Sequence, residues 1–575
     1  MVLRFKYVLM ALGLAGCATA PSVPEFSNVP NSLRSEFAVS DTDQSMYGPF
    51  VAATLAQHDS AFADAAEYYM RALEVDPDSR FVADRAFFQL LYAGRMEEAG
   101  KVAVTLAQSE AGVENDDLVS ILYVLEAYKR RDWPTVRQRL DGSKMAGFGG
   151  LVSPIIRAWS FVAEGDIERA RLALFPMLED QRLKPIADEH LAYMFDHLQD
   201  FESAEAEYLQ LADATQPASL QPFVAYADML ARNGKRDEAR SFMGKVAAQY
   251  NNNRFLLREG MLIAAGRPPS QRTANPDGAL GSMFFRLASE FSQGSSPQAA
   301  VVYLRMASYL TPEVADIYFM LGNLMDQLDN PRAAATVYDT VPASSILHRA
   351  AQERKINALR RIGQIQQAED SLRNALRDNP EDANYLTSLG DLLRGKEDFD
   401  EAILRYSTAI DIMKAAGKEE WFVYFARGVS YEQAGDWEKA EYDLTRALSL
   451  SPNEPSVLNY LGYSWIDRGL YIEKAKGYIE KAVEERPNDG FIIDSLGWVN
   501  YLTGDYEEAV KLLEQAVRIE PTDVTINHHL GDAYWQVGRE IEARFQWQHA
   551  IDSNPKADEL AQLQRKLDLG LPKES

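Results

Sequence analysis

The chain has 575 residues, of which 46% are hydrophobic and 10% aromatic, enough for a large continuous core. It carries 85 acidic and 59 basic residues, which gives a net charge of −26 at pH 7. A field of this sign repels phosphate backbones, so no nucleic acid partner is expected. The chain has a single cysteine, so no intrachain disulfide can support the fold.

The first 17 residues have the pattern of a secretory signal. Arg4 and Lys6 precede an apolar run over residues 7–14, which is too short to span a membrane as a mature helix. The run leads into Leu14-Ala15-Gly16-Cys17, which resembles the cleavage site of bacterial lipoproteins. The resemblance implies that residues 1–16 are a signal peptide and that Cys17 is lipidated. The alternative is an ordinary secretory signal with an incidental cysteine.

The residue after the cysteine and the composition that follows extend this interpretation. In Gram-negative lipoproteins, a residue such as Ala18 in place of Asp implies sorting to the outer membrane, which would leave the chain facing the periplasm. Residues 17–46, which begin with the lipidated cysteine, contain Pro21, Pro24 and Pro30 and few large apolar residues. This composition predicts a flexible tether.

A spacing of small, large, small and proline residues recurs through the rest of the chain. Ala440, Leu444, Ala447 and Pro452 define it. The same frame returns 69 residues later, from Ala509 to Pro521, and again after a further 34 residues. A period of 34 residues is typical of helical-hairpin solenoids, in which each unit can bury its apolar face only against its neighbours.

One unit explains why these residue types recur. Tyr424, Gly428 and Tyr431 share one face of a first helix, and Ala440 begins the matching face of a second. The small residues allow the two antiparallel helices to approach closely, and a proline ends the second helix. Gly462, Gly497 and Gly531 repeat the glycine of the first helix. The pattern resembles tetratricopeptide repeats.

The small residue that opens each second helix sets the phase of the array. It predicts about 14 hairpins in an all-α solenoid, whose second helices are marked by Ala65, Ala99, a weak unit near Trp133, Ala170, Ala204, Ala239, Ala300, Ala334, Ala368, Ala402, Ala440, Ala475, Ala509 and Ala543. The 61 residues between Ala239 and Ala300 contain a Pro-, Gly- and Asn-rich stretch, which predicts a loop. We therefore divide the chain into a degenerate array at 47–265, a loop at 266–279, a cleaner array at 280–555, and a capping helix and tail at 556–575.

The sequence contains no pattern that favours catalysis or metal binding. His528 and His529 are adjacent, so their side chains point about 100° apart on a helix, and no HExxH or cysteine ligand accompanies them. Nucleophile-elbow, phosphate-loop and dinucleotide motifs are also absent from the sequence. We expect no enzyme activity, no catalytic residue, no metal site and no cofactor.

A second face of the first helices is the candidate binding surface, and we call it the groove stripe. Its residues follow those that pack against the second helix by one position, about 100° around the helix. In tetratricopeptide repeats this face lines a concave groove. The aromatic and polar residues predicted here to bind a peptide are Phe425, Asn459, Tyr463, Asp494, Trp498, Tyr501, His528 and Trp535. The alternative, that the rings fill contacts between repeats, is left open for Trp498 and Tyr501.

The signal, tether and repeats together resemble the LbcA-type outer-membrane lipoproteins, which are adaptors of periplasmic carboxy-terminal processing proteases. The resemblance implies a chain that is anchored through Cys17, recruits or activates such a protease, and presents cell-wall hydrolases to it. No catalytic residue is carried over from that family. An alternative is a non-enzymatic scaffold for envelope assembly or for an export machinery of pilus, outer-membrane or polysaccharide type.

Overall fold

A computed structural model describes residues 45–108, 117–213, 219–294 and 296–571 of the chain. These residues form helices and connecting turns, without a β-strand in any of the four ranges. The predicted signal peptide, Cys17 and nearly all of the tether lie outside the described residues.

The helices are numbered in chain order. They are α1 (Tyr47–His58), α2 (Phe62–Val75), α3 (Arg80–Ala93), α4 (Met96–Gln108), α5 (Asp117–Lys129), α6 (Trp133–Gly142), α7 (Gly147–Val162), α8 (Ile167–Leu178), α9 (Lys184–His197), α10 (Phe201–Ala212), α11 (Gln221–Arg232), α12 (Arg236–Gln249), α13 (Arg254–Ala264), α14 (Pro276–Ser292), α15 (Pro297–Leu310), α16 (Ala315–Gln327), α17 (Pro331–Asp339), α18 (His348–Arg361), α19 (Ile365–Asp378), α20 (Ala383–Gly395), α21 (Phe399–Ala415), α22 (Trp421–Gln433), α23 (Trp437–Leu450), α24 (Pro455–Asp467), α25 (Ile472–Glu485), α26 (Gly490–Leu502), α27 (Tyr506–Ile519), α28 (Val524–Gln536), α29 (Glu540–Asp552) and α30 (Ala557–Leu569).

The order of the helices confirms the predicted all-α solenoid of hairpins. Helices α1 to α12 supply six first-and-second-helix pairs, and α14 to α29 supply eight, for the fourteen units expected from the phase. Helix α30 follows the last pair and buries Leu563 completely, as a capping helix should. Helix α13 lies between the two sets and had no counterpart in the sequence interpretation.

The small residues lie where the two helices of a hairpin touch. Each of the thirteen alanines that set the phase is fully buried. A Cβ atom on Gly497 would lie 2.7 Å from Cγ of Leu513, and one on Gly428 would lie 3.1 Å from Cγ of Leu444. Larger side chains would push the helices apart, so the repeat selects alanine and glycine by size.

Aspartates begin many of the second helices. The carboxylates of Asp166, Asp200, Asp398, Asp436 and Asp505 each accept a hydrogen bond from the backbone amide three residues later. This satisfies an amide that has no partner within the helix and stabilises a helix start by about 1 kcal/mol. At Asp166, Asp436 and Asp505 the preceding residue is glycine, so a Gly-Asp pair there defines both the turn and the start of the next helix.

The predicted loop at 266–279 is partly helical. Helix α14 begins at Pro276, where the fixed φ of proline suits the first helical position, and Asn275 accepts a hydrogen bond from the amide of Gly278. The chain forms two compact units, the first ending at Gln364 and the second beginning at Ile365. The sequence predicts the division between the arrays earlier, at the loop 266–279.

The first unit contains contacts between hairpins that are far apart in sequence. The side-chain amide of Asn330 donates to the carbonyl of Ser60 at 2.7 Å. Arg305 donates to the carbonyl of Tyr92 at 2.9 Å, at the carboxyl end of α3. These contacts join α15 and the turn before α17 to the first two hairpins. The first unit is therefore held by more than stacking between neighbouring repeats.

Candidate partner-binding groove

The eight predicted groove residues all lie on first helices of the second unit. Phe425 is on α22, and Asn459 and Tyr463 are on α24. The remaining five lie on the next two first helices: Asp494, Trp498 and Tyr501 on α26, and His528 and Trp535 on α28. Asp494 is buried, and the other seven are partly exposed.

The groove stripe also contacts the next first helix along the chain. The ring centroids of Phe425 and Tyr460 lie 5.6 Å apart, with the rings edge to face. His529 Nδ1 lies 3.0 Å from Asp494 Oδ1. Because each contact joins one first helix to the next, the stripe fixes the repeat-to-repeat packing as well as lining the surface.

Trp498 lies in a stack of parallel rings. Its ring centroid is 4.6 Å from that of Tyr501 and 3.9 Å from that of His529, with interplanar angles of 7° and 14°. Asp494 holds the imidazole of His529 in this position. The stacked contacts give Trp498 and Tyr501 a role in packing, the alternative left open from the sequence. Their role in binding stays a prediction.

Tyr463 lies on the same face one repeat earlier. Burial raises the pKa of its hydroxyl to about 12, and the charges of Asp494 and Asp467 add to the shift. The ring is therefore a neutral, partly exposed aromatic surface at every physiological pH.

Helix α30 packs over the groove stripe of the last hairpin. Lys566 Nζ lies 2.6 Å from Asp532 Oδ2 and 2.6 Å from His528 Nε2. Gly570, just after α30, packs against the indole of Trp535. Burial lowers the pKa of His528 to about 4, so this imidazole is neutral when it faces the lysine. The accessible stripe therefore lies mainly on the earlier first helices.

Four exposed residues beside the stripe were missed in the sequence interpretation. Phe422 and Phe491 each precede a predicted stripe residue by three positions, and Asp467 and Leu502 each follow one by four. Residues three and four apart share a helix face. Their exposed fractions are 40% for Phe422, 54% for Phe491 and 49% for Leu502. This spacing was available in the sequence and would have identified them.

In the first unit, the chain's own residues contact the corresponding stripe. Counted from the small residue that opens each second helix, Glu189 corresponds to Asp494, and Asp228 to Trp498. Arg286 Nη1 lies 2.8 Å from Glu189 Oε2, and Arg272 makes two contacts with Asp228, at 3.1 and 3.2 Å. Two residues near the stripe also contact the loop before α14. The Gln221 side chain donates a hydrogen bond to the carbonyl of Gln271, and His197 Nδ1 is hydrogen-bonded to the carbonyl of Ala274.

The residues that the structure describes contain no group of three or more His, Cys, Asp or Glu side chains arranged to hold a metal ion. Within the same ranges, every helix is too short or too polar to cross a membrane.

Three stretches of the chain match known repeat families. Residues 354–416 and 421–454 match families described as "Tetratricopeptide repeat", and residues 498–538 match one described as "TPR repeat". Over these three stretches the chain is similar to tetratricopeptide repeats. None of these three families is catalytic, and repeats of this kind serve as protein-binding scaffolds. The matches lie where the sequence predicted the cleaner hairpins.

Curated relatives match only parts of the chain. The "TPR repeat-containing protein PA4667" of Pseudomonas aeruginosa is 29% identical over 216 residues, which are 37% of this chain and 36% of that protein. The "Lipoprotein NlpI homolog" of Haemophilus influenzae is 45% identical over 60 residues, 10% of this chain and 19% of that protein. The match therefore spans about a third or less of the length of these relatives.

Solved structures match the chain at low sequence identity and with low TM-scores. The structure of the "APC/C hetero-tetramer Cut9-Hcn1" has 13% identity and a TM-score of 0.39, with 91% of this chain and 96% of that chain covered. A tetratricopeptide repeat protein from Parabacteroides merdae has 15% identity and a TM-score of 0.37, with 44% and 98% covered.

Proposed function

We propose that this chain is a membrane-anchored adaptor that binds a protein segment on the groove stripe of its second unit. The observation that carries the proposal is the partly exposed stripe on α22, α24 and α26, with the rings of Phe422, Tyr463 and Phe491. Aromatic rings bury a large area at low entropic cost, which makes them common anchors of protein interfaces. In the first unit, the chain's own residues contact the same positions, so the second unit is where an outside partner would bind.

Localisation is part of the proposal. The sequence from Arg4 to Ala18 supports a lipid anchor on Cys17 in the outer membrane, with the repeats in the periplasm. The Haemophilus influenzae relative, which matches 60 residues of this chain, is named as a lipoprotein, and this is in keeping with the proposal. Several acyl chains, each contributing about 0.8 kcal/mol per buried methylene, would hold the chain at the membrane.

The partner that we propose is a periplasmic carboxy-terminal processing protease, which the adaptor would activate and supply with cell-wall hydrolases. The support is the resemblance in layout: a lipoprotein signal, a tether and repeats over most of the chain. The catalytic groups would belong to the partner, since the adaptor contributes position and local concentration. Holding protease and substrate on one scaffold raises their effective concentration, to the millimolar range for short linkers.

Capture from solubilised envelopes tests this function. The wild-type chain should retain a serine protease. The Tyr463→Ala, Phe491→Ala double variant should capture at least tenfold less of this protease while its helical circular dichroism is unchanged. Tyr442→Ala is the matched control, because Tyr442 is 67% exposed on the second helix α23. Capture of a secretin or barrel protein in place of a protease would favour the assembly-scaffold alternative. Equal capture by the double variant would refute the groove.

A further inference from the structure

Basic side chains from elsewhere in the chain lie on carboxylates of the groove stripe. Arg286 contacts Glu189 and Arg272 contacts Asp228 in the first unit, and Lys566 contacts Asp532 in the second. The three carboxylate residues are each less than 5% exposed. Asp228 and Asp532 stand at the same position of their hairpins, eleven residues before Ala239 and Ala543. The stripe therefore accepts Arg and Lys side chains at equivalent places in different repeats.

These contacts come from segments that cover the stripe without being the next hairpin in the array. Arg272 lies in the loop before α14, and the backbone of the same loop accepts hydrogen bonds from α11 and contacts α9. Lys566 lies on α30, which closes the last hairpin. A buried carboxylate needs a paired charge, which Lys566 supplies to Asp532. Asp228 has Arg272 in addition to Arg232 of its own helix, which lies 2.9 Å away.

Carboxylates also line the accessible stripe of the second unit. Asp391 accepts a hydrogen bond from Tyr406 at 2.7 Å, and Glu432 pairs with Arg468 at 2.9 Å. The Asp467 side chain is 69% exposed, and the nearest cation described for it is Arg468 at 3.9 Å. The whole unit, residues 365–575, contains 40 acidic and 23 basic residues. Its field favours the approach of a positively charged segment.

We propose that the groove stripe of the second unit binds a segment rich in Lys or Arg, with apolar residues that pack on Phe422 and Phe491. The proposal rests on the proposed function and names the chemical class of its partner. Phe422 and Phe491 lie on α22 and α26, with α24 between them. Neighbouring helices pack about 8–10 Å apart, so an extended segment of roughly six residues spans the two rings. Lys and Arg also interact favourably with exposed aromatic faces.

A fluorescence-anisotropy titration with defined probes tests the inference. The protein is the chain from residue 17 onward with Cys17→Ser, and the probe is the labelled peptide Lys-Leu-Lys-Lys-Ser-Lys-Lys-Leu-Lys. The comparison peptide carries Glu in place of every Lys. We expect the basic peptide to bind at least tenfold more tightly than the acidic one. Raising the salt concentration from 50 to 300 mM should weaken the binding.

Variants identify where the peptide binds. The Phe422→Ala, Phe491→Ala double variant should bind the basic peptide at least tenfold more weakly, and Asp467→Lys at least threefold more weakly. Tyr442→Ala should bind as the wild type does. Binding that is indifferent to both phenylalanines, or equal affinity for the acidic peptide, would overturn the inference. If the basic peptide fails but envelope capture still depends on Tyr463 and Phe491, the groove function stands and only the basic class is refuted.

Discussion

The contact between Asn330 and Ser60 gives a direct test of whether the first unit behaves as a nearest-neighbour array. Asn330 is 5% exposed, and its side chain has two roles. Its Oδ1 accepts from the amide of Ala333 and caps α17, while its Nδ2 donates to the carbonyl of Ser60, 270 residues earlier in the chain. Asn330→Ser removes the second role and keeps the first, since serine is as good an N-cap as asparagine.

The expected effect follows from that single lost donor. A hydrogen bond contributes about 1 kcal/mol, and the carbonyl of the partly exposed Ser60 can pair with water once the donor is lost. We therefore expect the closure of α1 and α2 onto the turn before α17 to weaken by about 1 kcal/mol. Amides of residues 47–75 that exchange by opening this contact should then exchange roughly fivefold faster.

Hydrogen–deuterium exchange with peptide resolution measures this change. Faster exchange in residues 47–75 with little change in α17 would show the long-range coupling. Asp436→Ala provides a control, because it removes the N-cap of α23 and should affect only its own hairpin and the adjoining ones. If Asn330→Ser changed exchange only near α16 and α17, the contact to Ser60 would carry no stability and the neighbour-only description would hold.

Three other predictions concern anchoring, packing and pH. Cys17→Ser should leave the repeats folded but move the chain from the membrane to the soluble fraction on cell fractionation. Gly497→Leu should destabilise the second unit by about 1–3 kcal/mol or more in urea unfolding, because the leucine side chain would overlap Leu513. Gly477 is a helical residue with open space around it, so Gly477→Ala should stabilise the unit by up to about 1 kcal/mol. Burial, and then the charge of Arg286, lower the pKa of His190 to about 3. As the pH falls, His190 therefore takes up a proton in the unfolded state before it does so in the folded state. The free energy of unfolding of the first unit should then fall by about 2 kcal/mol between pH 7 and pH 5. His190→Gln should remove that part of the pH dependence.

Local spacing predicted the hairpins because the constraint on each hairpin is local. Ala440 and Gly428 are small since two helices joined by a short turn touch there, and both residues lie within 13 positions of each other. The Gly-Asp turns follow the same logic, since each depends on residues a few positions away. The unpaired helix α13 had no such signature, because it has no partner helix at the repeat spacing.

The contacts that decide which surface is open could not be read from the repeat period. The Asn330–Ser60 hydrogen bond and the Arg272–Asp228 pair join residues 270 and 44 positions apart, and neither contact is between residues of one hairpin. The stack on Trp498 needs His529 from the next first helix, and its packing role depends on the angle between the rings. A residue at a groove position can therefore be a binding anchor, a repeat contact or both, and only the arrangement of its neighbours distinguishes these cases.

The two units differ in net charge, and this difference bears on what each groove stripe can bind. Residues 1–364 contain 45 acidic and 36 basic residues, and residues 365–575 contain 40 and 23. The excess negative charge is thus larger in the shorter unit, where the groove stripe from α20 to α26 is partly exposed. In the first unit, Arg272 and Arg286 bring positive charge to the stripe from within the chain. A partner that binds the second unit has to supply that charge itself, which is why its affinity should depend on salt as well as on the rings.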